Sequence, residues 1–257
     1  MTVEYVIGDA LERLRDEPAG SAAFVHLDDA WARPNRNGAF GVEYPTHPFD
    51  EDVADDVAGE PGVETDLTVV DMLEACYRVL EPGGVLAVDT DSHLCPRVLT
   101  YAIETWGRGC YAVHETTLLT KAGEPDRSTP GMYASSGGYS TVLVWKNAAP
   151  LPRGYAGREY HQLRCACRNQ REDWGWGTVK PLAPALGWIR TYTDAGDRVI
   201  VPCAGTAPAA IAAEREYGSD VDVLAIDVEP EAREAYQRRR TDELEYQSGL
   251  GMFGKTA

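Results

Sequence analysis

The sequence predicts an α/β protein whose central sheet is mostly parallel and carries helices on both faces. Short apolar runs of strand length, such as residues 21–27 and 85–90, alternate with helically spaced segments, such as residues 67–80 and 181–193. Towards the C-terminus, a strand, a glycine-containing turn, a helix and a second strand follow one another at the spacing of a βαβ unit. Together these patterns favour a single doubly covered sheet.

The first half of the chain alternates between strand and helix patterns. VEYVI (3–7) is predicted as a strand, Gly8-Asp9 marks a turn, and ALERLRDE has helical spacing. SAAFVHL (21–27) is an apolar run typical of a strand buried on both faces. A helix follows at 67–80, Glu81–Gly84 is expected to end it, and VLAVDT (85–90) is the next buried strand. Residues 94–105 are expected to be helical, whereas residues 32–65 have no clear period and are expected to form a long loop.

The second half begins less regularly. Residues 111–119 and 139–147 are predicted as antiparallel strands around a polar loop, and residues 150–177 show no period. The regular pattern then resumes, with helices at 181–193, 209–218 and 230–247 and strands at 197–202 and 222–227.

The charge balance is strongly acidic. Asp and Glu total 41 against 24 Lys and Arg, the net charge is -17, and four of the cations are lysines. Such a composition suits the salt-rich cytoplasm of a halophilic host or its virus, because dense counterions screen the self-repulsion. An ordinary acidic protein is the alternative. At molar salt, where the Debye length is about 3 Å, the repulsion between such a chain and DNA largely vanishes.

We expect a cytoplasmic protein that does not enter a membrane. No window approaches 18 consecutive apolar residues, and the first residues lack the basic start and apolar core of a signal peptide. The six cysteines are scattered, and we expect them to be reduced. Cys165-x-Cys167 near His161 suggests zinc, but the spacing and the number of ligands do not match a structural zinc site, so we predict no metal.

The order of motifs resembles the amino-group (adenine-N6 or cytosine-N4) DNA methyltransferases of the permuted type, in which the catalytic motif comes first. GDALERLRDEPAGSAAFVHLDDAW is similar to their opening, and DMLEACYRVLEPGGVLAVDTDS to the helix, turn and strand that follow. VKPLAPALGWIRTYTDAGDRVIVPCAGTAPAAIAAEREYG is similar to their closing cofactor segment, and AIDVEPEA to the next strand end. The resemblance covers nearly the whole chain except residues 32–65 and 110–177.

This resemblance implies a Rossmann-like, S-adenosylmethionine-dependent fold in one domain spanning residues 1–257. Residues 1–109 would form the catalytic half, and residues 110–177 an irregular target-recognition insert. Residues 178–247 would form the cofactor half, followed by a tail at 248–257. Double-stranded DNA is the implied partner. A homodimer, a companion restriction enzyme and a lone protective methylase are all compatible with the sequence.

The resemblance assigns the catalytic role to the residues that follow strand 21–27. Asp28 and the Asp29 carbonyl would accept hydrogen bonds from the exocyclic amine of a flipped base, and Trp31 would stack on that base. An exocyclic amine is a poor nucleophile, and acceptors that hold its hydrogens direct its lone pair towards the methyl group. Asp29-Ala30 stands where the family has Pro-Pro. The alternative assigns Asp28 to a turn cap, Asp29 to solvent and Trp31 to the core.

The cofactor residues are likewise implied by the resemblance. The family's glycine-rich loop corresponds to Pro202, Cys203, Ala204, Gly205 and Thr206, in which one of two usual glycines and the leading acid are missing. Asp227, about 20 residues further on, would accept from ribose hydroxyls. Asp9 would meet the cofactor's adenine amine, with a helix N-cap as the alternative. Lys180 would lie near the cofactor's carboxylate.

Basic residues among aromatic ones are the best candidates for contact with DNA phosphates. The predicted nucleic-acid-binding residues are Arg33, Arg36, Arg153, Arg158, Arg164 and Arg168. Pairing of these arginines with local acids is the alternative. Two other functional classes stay open: a degenerate methyltransferase fold that binds nucleic acid or protein without catalysis, and a methyltransferase acting on RNA or a small molecule.

Overall fold

The structure is a computed structural model that describes residues 3–28, 69–90, 94–107, 111–119, 124, 138–146, 165–167, 174–176 and 179–251. The strands of this part of the chain are β1 (Val3–Ile7), β2 (Ala22–Leu27), β3 (Leu80–Thr90), β4 (Tyr111–Leu119), β5 (Gly138–Trp145), β6 (Cys165–Cys167), β7 (Arg198–Val201) and β8 (Asp222–Asp227). The helices are α1 (Ala10–Asp16), α2 (Val69–Val79), α3 (Leu94–Trp106), α4 (Leu182–Tyr192), α5 (Pro208–Tyr217) and α6 (Pro230–Gly251).

The described strands form one sheet of eight strands in the order β1-β8-β7-β2-β3-β5-β4-β6. The five strands from β1 to β3 are parallel, β5 is antiparallel to both of its neighbours, and β6 pairs parallel with β4. The two strands of the C-terminal half, β7 and β8, lie between β1 and β2 of the N-terminal half. Both halves therefore build the same sheet, and the predicted α/β architecture is confirmed.

Helices cover both faces of the sheet, as expected for central strands that are apolar along their whole length. All six residues of β2 are buried. The core on one face includes Leu11, Leu14, Met72, Leu73 and Val98 from α1, α2 and α3. The core on the other face includes Leu182, Trp188, Ile211 and Tyr236 from α4, α5 and α6.

The Glu-Pro-Gly-Gly segment corrects one sequence prediction. Glu81–Gly84 was expected to end the preceding helix as a separate turn, but β3 begins at Leu80 and contains it. The pairing of β2 with β3 shifts here, from Ala22↔Leu80 to Phe24↔Val85. A Cβ on Gly84 would lie 3.0 Å from the carbonyl oxygens of Ala22 and Ala23, so glycine permits the close approach of the two backbones.

Two further boundaries differ from the prediction. The region 110–177, expected to be irregular, contributes β4, β5 and β6 to the sheet. The helix predicted to end at residue 247 continues to Gly251, so residues 248–251 are helical rather than part of a tail. None of the helices in the described part of the chain combines the length and apolar character needed to span a bilayer.

Candidate active site at the carboxyl edge of the sheet

Four segments predicted to be functional meet at one edge of the sheet. Because β1, β8, β7 and β2 are parallel, their carboxyl ends point the same way. Asp9 follows β1, Asp227 ends β8, the loop 202–207 follows β7, and Asp28 follows β2. Open α/β sheets bind ligands at this edge, so the topology gathers the predicted residues where binding is expected.

The loop 202–207 has an unusual backbone. Cys203 (φ 52°), Gly205 (φ 51°) and Ala207 (φ 44°) all adopt the left-handed region, which glycine tolerates and other residues enter at a cost. Ala207 occupies the position of the missing second glycine, and it still has the left-handed conformation. Two backbone hydrogen bonds hold the loop: Ala204 N–H donates to the Ile226 carbonyl at 2.8 Å, and Ala207 N–H donates to the Ala204 carbonyl at 2.6 Å.

Asp227 joins this loop to the end of β8. Its side chain accepts hydrogen bonds from Gly205 N–H at 2.7 Å and from Glu229 N–H at 3.0 Å. Burial raises the pKa of the Asp227 carboxyl, while hydrogen bonds from the backbone of Glu229, Gly205 and Val228 oppose that rise. A carboxylate offers about four lone-pair sites on its two oxygens, so Asp227 can also accept from a ligand.

Aromatic side chains press against the same loop. The Tyr5 hydroxyl donates to the Gly205 carbonyl at 2.7 Å, and its ring stacks on Tyr236 at 4.9 Å. Burial, followed by the charge of Asp227, raises the pKa of Tyr5. A Cβ placed on Gly205 would lie 3.2 Å from Trp176 Nε1. Gly205 is thus required both for its backbone conformation and for space.

A buried guanidinium supports the loop from α6. Arg239 has no exposed surface, and its Nη1 donates to Thr206 Oγ1 at 2.8 Å. The guanidinium carbon lies 5.0 Å from the centre of the Trp174 ring, a cation–π contact. Burial lowers the pKa of Arg239 to about 10, which the charge of Glu243 partly opposes. Among the described residues, Nη2 has no hydrogen-bond partner.

Asp28 lies at the end of β2 and is paired with Lys180. Lys180 Nζ is 2.5 Å from Asp28 Oδ2 and 3.5 Å from Asp89 Oδ2. It also lies 4.8 Å from the centre of the Tyr139 ring. About 23% of the Asp28 side chain is exposed, compared with 10% of the Lys180 side chain and none of Asp89. Lys180 was predicted from the sequence as a cofactor residue, and the structure brings it to the predicted catalytic carboxylate.

Asp9 shows the geometry that was the alternative to cofactor binding. It is the N-cap of α1, and its Oδ1 accepts a hydrogen bond from Glu12 N–H at 2.8 Å. The neighbouring Gly8 N–H donates to the Asp227 carbonyl at 2.9 Å, so Asp9 follows directly on the contact between the ends of β1 and β8. The cap engages one carboxylate oxygen, and a carboxylate has acceptor capacity for more than one donor.

Several predicted residues lie outside the described part of the chain. These are Asp29, Trp31, Arg33, Arg36, Arg153, Arg158, Arg164 and Arg168. The side chains of Cys165 and Cys167 are likewise outside it. Among the described side chains, no group of three or more His, Cys, Asp or Glu residues could hold a metal ion.

The structure also brings in residues that sequence reasoning missed. Ile7 (37% exposed) and Val228 (48% exposed) are large apolar side chains left accessible at the edge beside Asp227. His26, Asp89 and Thr141 form a buried polar cluster behind Asp28. The acid in the apolar run VLAVDT was the available signal for this cluster, because a charge inside a central strand requires a partner.

Comparison with solved structures identifies the fold. The cytosine-N4-specific PvuII DNA methyltransferase matches with a TM-score of 0.60 and 15% identity, over 95% of this chain and 92% of that chain. M1.HpyAVI, solved in complex with SAM, matches with a TM-score of 0.58 and 13% identity, over 93% of this chain and 100% of that chain.

A third match comes from Thermus thermophilus: a protein provisionally assigned as a DNA modification methylase and solved in complex with S-adenosyl-L-methionine. It matches with a TM-score of 0.57 and 16% identity, over 95% of each chain. No family model and no curated protein matches the sequence. At these identities the likeness establishes the fold, which is the predicted Rossmann-like fold of S-adenosylmethionine-dependent methyltransferases.

Proposed function

We propose that this protein is a DNA methyltransferase of the permuted type that uses S-adenosylmethionine to methylate the exocyclic amine of a flipped adenine (N6) or cytosine (N4). One observation carries the proposal. In a methyltransferase fold, a partly exposed carboxylate, Asp28, ends the strand beside the one that leads into the loop 202–207. This places a hydrogen-bond acceptor for an amine next to the segment that would hold a methyl donor.

The residues at the edge fit S-adenosylmethionine. Asp227 offers buried carboxylate oxygens for ribose hydroxyls, and the exposed side chains of Ile7 and Val228 offer an apolar surface for an adenine ring. Asp9 contributes a carboxylate at the same edge for the adenine amine. The loop 202–207 keeps its left-handed positions despite the loss of a glycine. When bound, the cofactor supplies an electrophilic methyl group on a sulfonium.

The protein's own part in the reaction is to hold the amine. Asp28 and the Asp29 carbonyl would accept its two hydrogens, which directs the nitrogen lone pair towards the methyl group. Asp28 can do this while paired with Lys180, because a carboxylate has acceptor capacity for several donors. Trp31 would stack on the base and keep it out of the duplex. The rate would come mainly from this positioning.

Double-stranded DNA is the proposed partner, and the arginines predicted from the sequence would contact its phosphates. Since the net charge is -17, binding at low salt would be opposed by repulsion, which molar salt screens. We propose a salt-rich cytoplasm as the setting, in a halophilic host or its virus. The fold and the residues described are compatible with either adenine or cytosine.

The test is transfer of labelled methyl from S-adenosylmethionine to unmethylated DNA in molar KCl. Wild type is compared with Asp28→Ala and with Asp220→Ala, in which an exposed acid is removed from the loop that leads into β8 at the opposite edge. We expect label on DNA for wild type and Asp220→Ala and at least a hundredfold less for Asp28→Ala, a loss of about 3 kcal/mol of transition-state stabilisation. Digestion to nucleosides then separates N6-methyladenine from N4-methylcytosine.

Other outcomes would favour the alternative functions. Cofactor binding by calorimetry without transfer to DNA would contradict the DNA assignment and favour RNA or a small-molecule acceptor. Absence of both binding and transfer would contradict the enzyme and favour a degenerate fold, which is the interpretation that Asp29-Ala30 and Val201 support because they depart from the family pattern.

A further inference from the structure

A buried polar cluster spans three neighbouring strands directly behind Asp28. His26 on β2, Asp89 on β3 and Thr141 on β5 have exposures of 2%, 1% and 0%. Asp89 and Thr141 are cross-strand partners, and Leu27 pairs with Val88, so the next position on each strand holds Asp28 and Asp89. Since side chains alternate between faces, His26 and Asp28 share a face. Lys180 and α4 cover this face.

The hydrogen bonds of the cluster converge on one carboxylate. Thr141 Oγ1 donates to Asp89 Oδ1 at 2.6 Å, and His26 Nε2 lies 3.0 Å from Asp89 Oδ2. Lys180 Nζ lies 3.5 Å from the same Oδ2. Asp89 is thus held from two sides within the sheet and presents its charge to the lysine on the third side.

The tautomer of His26 follows from its surroundings. Nε2 must carry a hydrogen to donate to the carboxylate, and Nδ1 is buried without a hydrogen-bond partner among the described residues. A buried acceptor nitrogen without a partner costs less than a buried charged N–H without one. His26 is therefore a neutral donor, and its ring is fixed by Trp188, whose ring centre lies 5.2 Å away.

The cluster is poorly explained as a device for stability. Burying an ion pair is expensive, and well-packed apolar side chains in its place are often neutral or stabilising. Its only charged contact outside the sheet is Lys180, as far as the described residues show, and Lys180 carries that contact on to Asp28 at 2.5 Å. The partly exposed end of the chain of contacts is the carboxylate at the candidate active site.

We propose that Asp89, held by His26 and Thr141, is a positioning residue that fixes Lys180 against Asp28 and so sets the orientation of the Asp28 carboxylate towards the amine. This inference rests on the proposed function and deepens it. Asp89 attracts Lys180 towards the sheet, the Tyr139 ring borders the ammonium at 4.8 Å, and Asp28 is held by the resulting ion pair. Neither Asp89 nor Thr141 touches the substrate.

The test removes one hydroxyl without changing the shape of the core. Thr141→Val deletes the donor to Asp89, whereas Thr141→Ser keeps it. Thr90→Val is the matched control, because Thr90 is equally buried on the adjacent position of β3 but donates to the Ser140 carbonyl at 2.9 Å, outside the cluster. All three variants are first compared with wild type by thermal unfolding in molar KCl.

We expect Thr141→Val to lower kcat for methyl transfer about tenfold, since it removes a hydrogen bond to a charged group. The KM for DNA and the Kd of the cofactor should stay within about twofold of wild type, because uniform binding is untouched. Thr141→Ser should restore most of the rate, and Thr90→Val should match wild type in kcat even if it unfolds earlier. Equal kcat values for Thr141→Val and Thr90→Val would overturn the proposal.

A second measurement does not depend on activity. Crystal structures of wild type and Asp89→Asn would show whether Lys180 Nζ leaves Asp28 when the buried charge is removed. We expect the separation to grow beyond about 4 Å, the limit of an ion pair, and an unchanged ion pair would refute the positioning role. If wild type transferred no methyl at all, the proposed function would fail on its own test, while the movement of Lys180 would still decide whether Asp89 fixes it.

Discussion

Replacing Arg239 with methionine should leave stability nearly unchanged while weakening cofactor binding. Arg239 has no exposed surface, and burial lowers its pKa to about 10 from an ordinary 12.5. That lowering means that the folded protein disfavours the charged form by about 3 kcal/mol. Methionine removes the charge and fills much of the volume of the arginine stem.

The losses are of similar size to this gain. The hydrogen bond from Arg239 to Thr206 comes from a charged donor and contributes about 1.5–3 kcal/mol. The contact with the Trp174 ring contributes about 0.5–2 kcal/mol. We therefore expect the free energy of unfolding of Arg239→Met to lie within about 1 kcal/mol of wild type. Arg239→Ala also loses the packing of the stem and should be destabilised by about 3 kcal/mol.

Urea unfolding in molar KCl, followed by circular dichroism, measures both variants, and calorimetry measures the affinity for S-adenosylmethionine. Because Thr206 belongs to the loop 202–207, we expect Arg239→Met to bind the cofactor about tenfold more weakly despite its stability. A fall of about 3 kcal/mol or more in the stability of Arg239→Met would refute the reasoning, since the guanidinium would then be a net stabiliser. Wild-type affinity in Arg239→Met would show that the loop does not need this support.

Two more predictions concern the same loop. Gly205→Ala places a Cβ 3.2 Å from Trp176 Nε1 at a φ of 51°, so thermal unfolding should show a loss of about 2 kcal/mol; Gly218→Ala (φ 62°, no atom within 4 Å) is the control and should lose only the backbone strain of about 1 kcal/mol, and equal losses would contradict the proposed crowding. Burial raises the pKa of Asp227, so the folded protein binds this proton more tightly than the unfolded chain, and the stability contributed by Asp227 falls as the pH rises from 3.8 through the folded pKa. In urea unfolding from about pH 4 to 7, Asp227→Asn should therefore gain stability relative to wild type as the pH increases, and a difference independent of pH would show that burial does not perturb Asp227.

The local sequence patterns were sufficient for most of the framework. The apolar runs around Phe24 and Leu224 identify central strands, because only a strand covered on both faces is apolar at consecutive positions. Asp28 and Asp227 could be selected from the sequence since each stands at the end of such a run, and parallel strands bring their carboxyl ends to one edge. Boundaries were less certain at Glu81–Gly84, where the pairing with β2 extended the strand through a turn-like motif.

Only the tertiary structure decided how these residues are supported. His26, Asp89, Thr141 and Lys180 are separated by tens of residues, and nothing local in their segments indicates that one carboxylate gathers the other three. The left-handed conformation of Ala207 is likewise imposed by the packing of its loop, against the preference of alanine itself. Local patterns reflect burial and backbone preference, whereas the partner of a buried charge depends on which strands become neighbours. That pairing is settled only when the whole sheet forms.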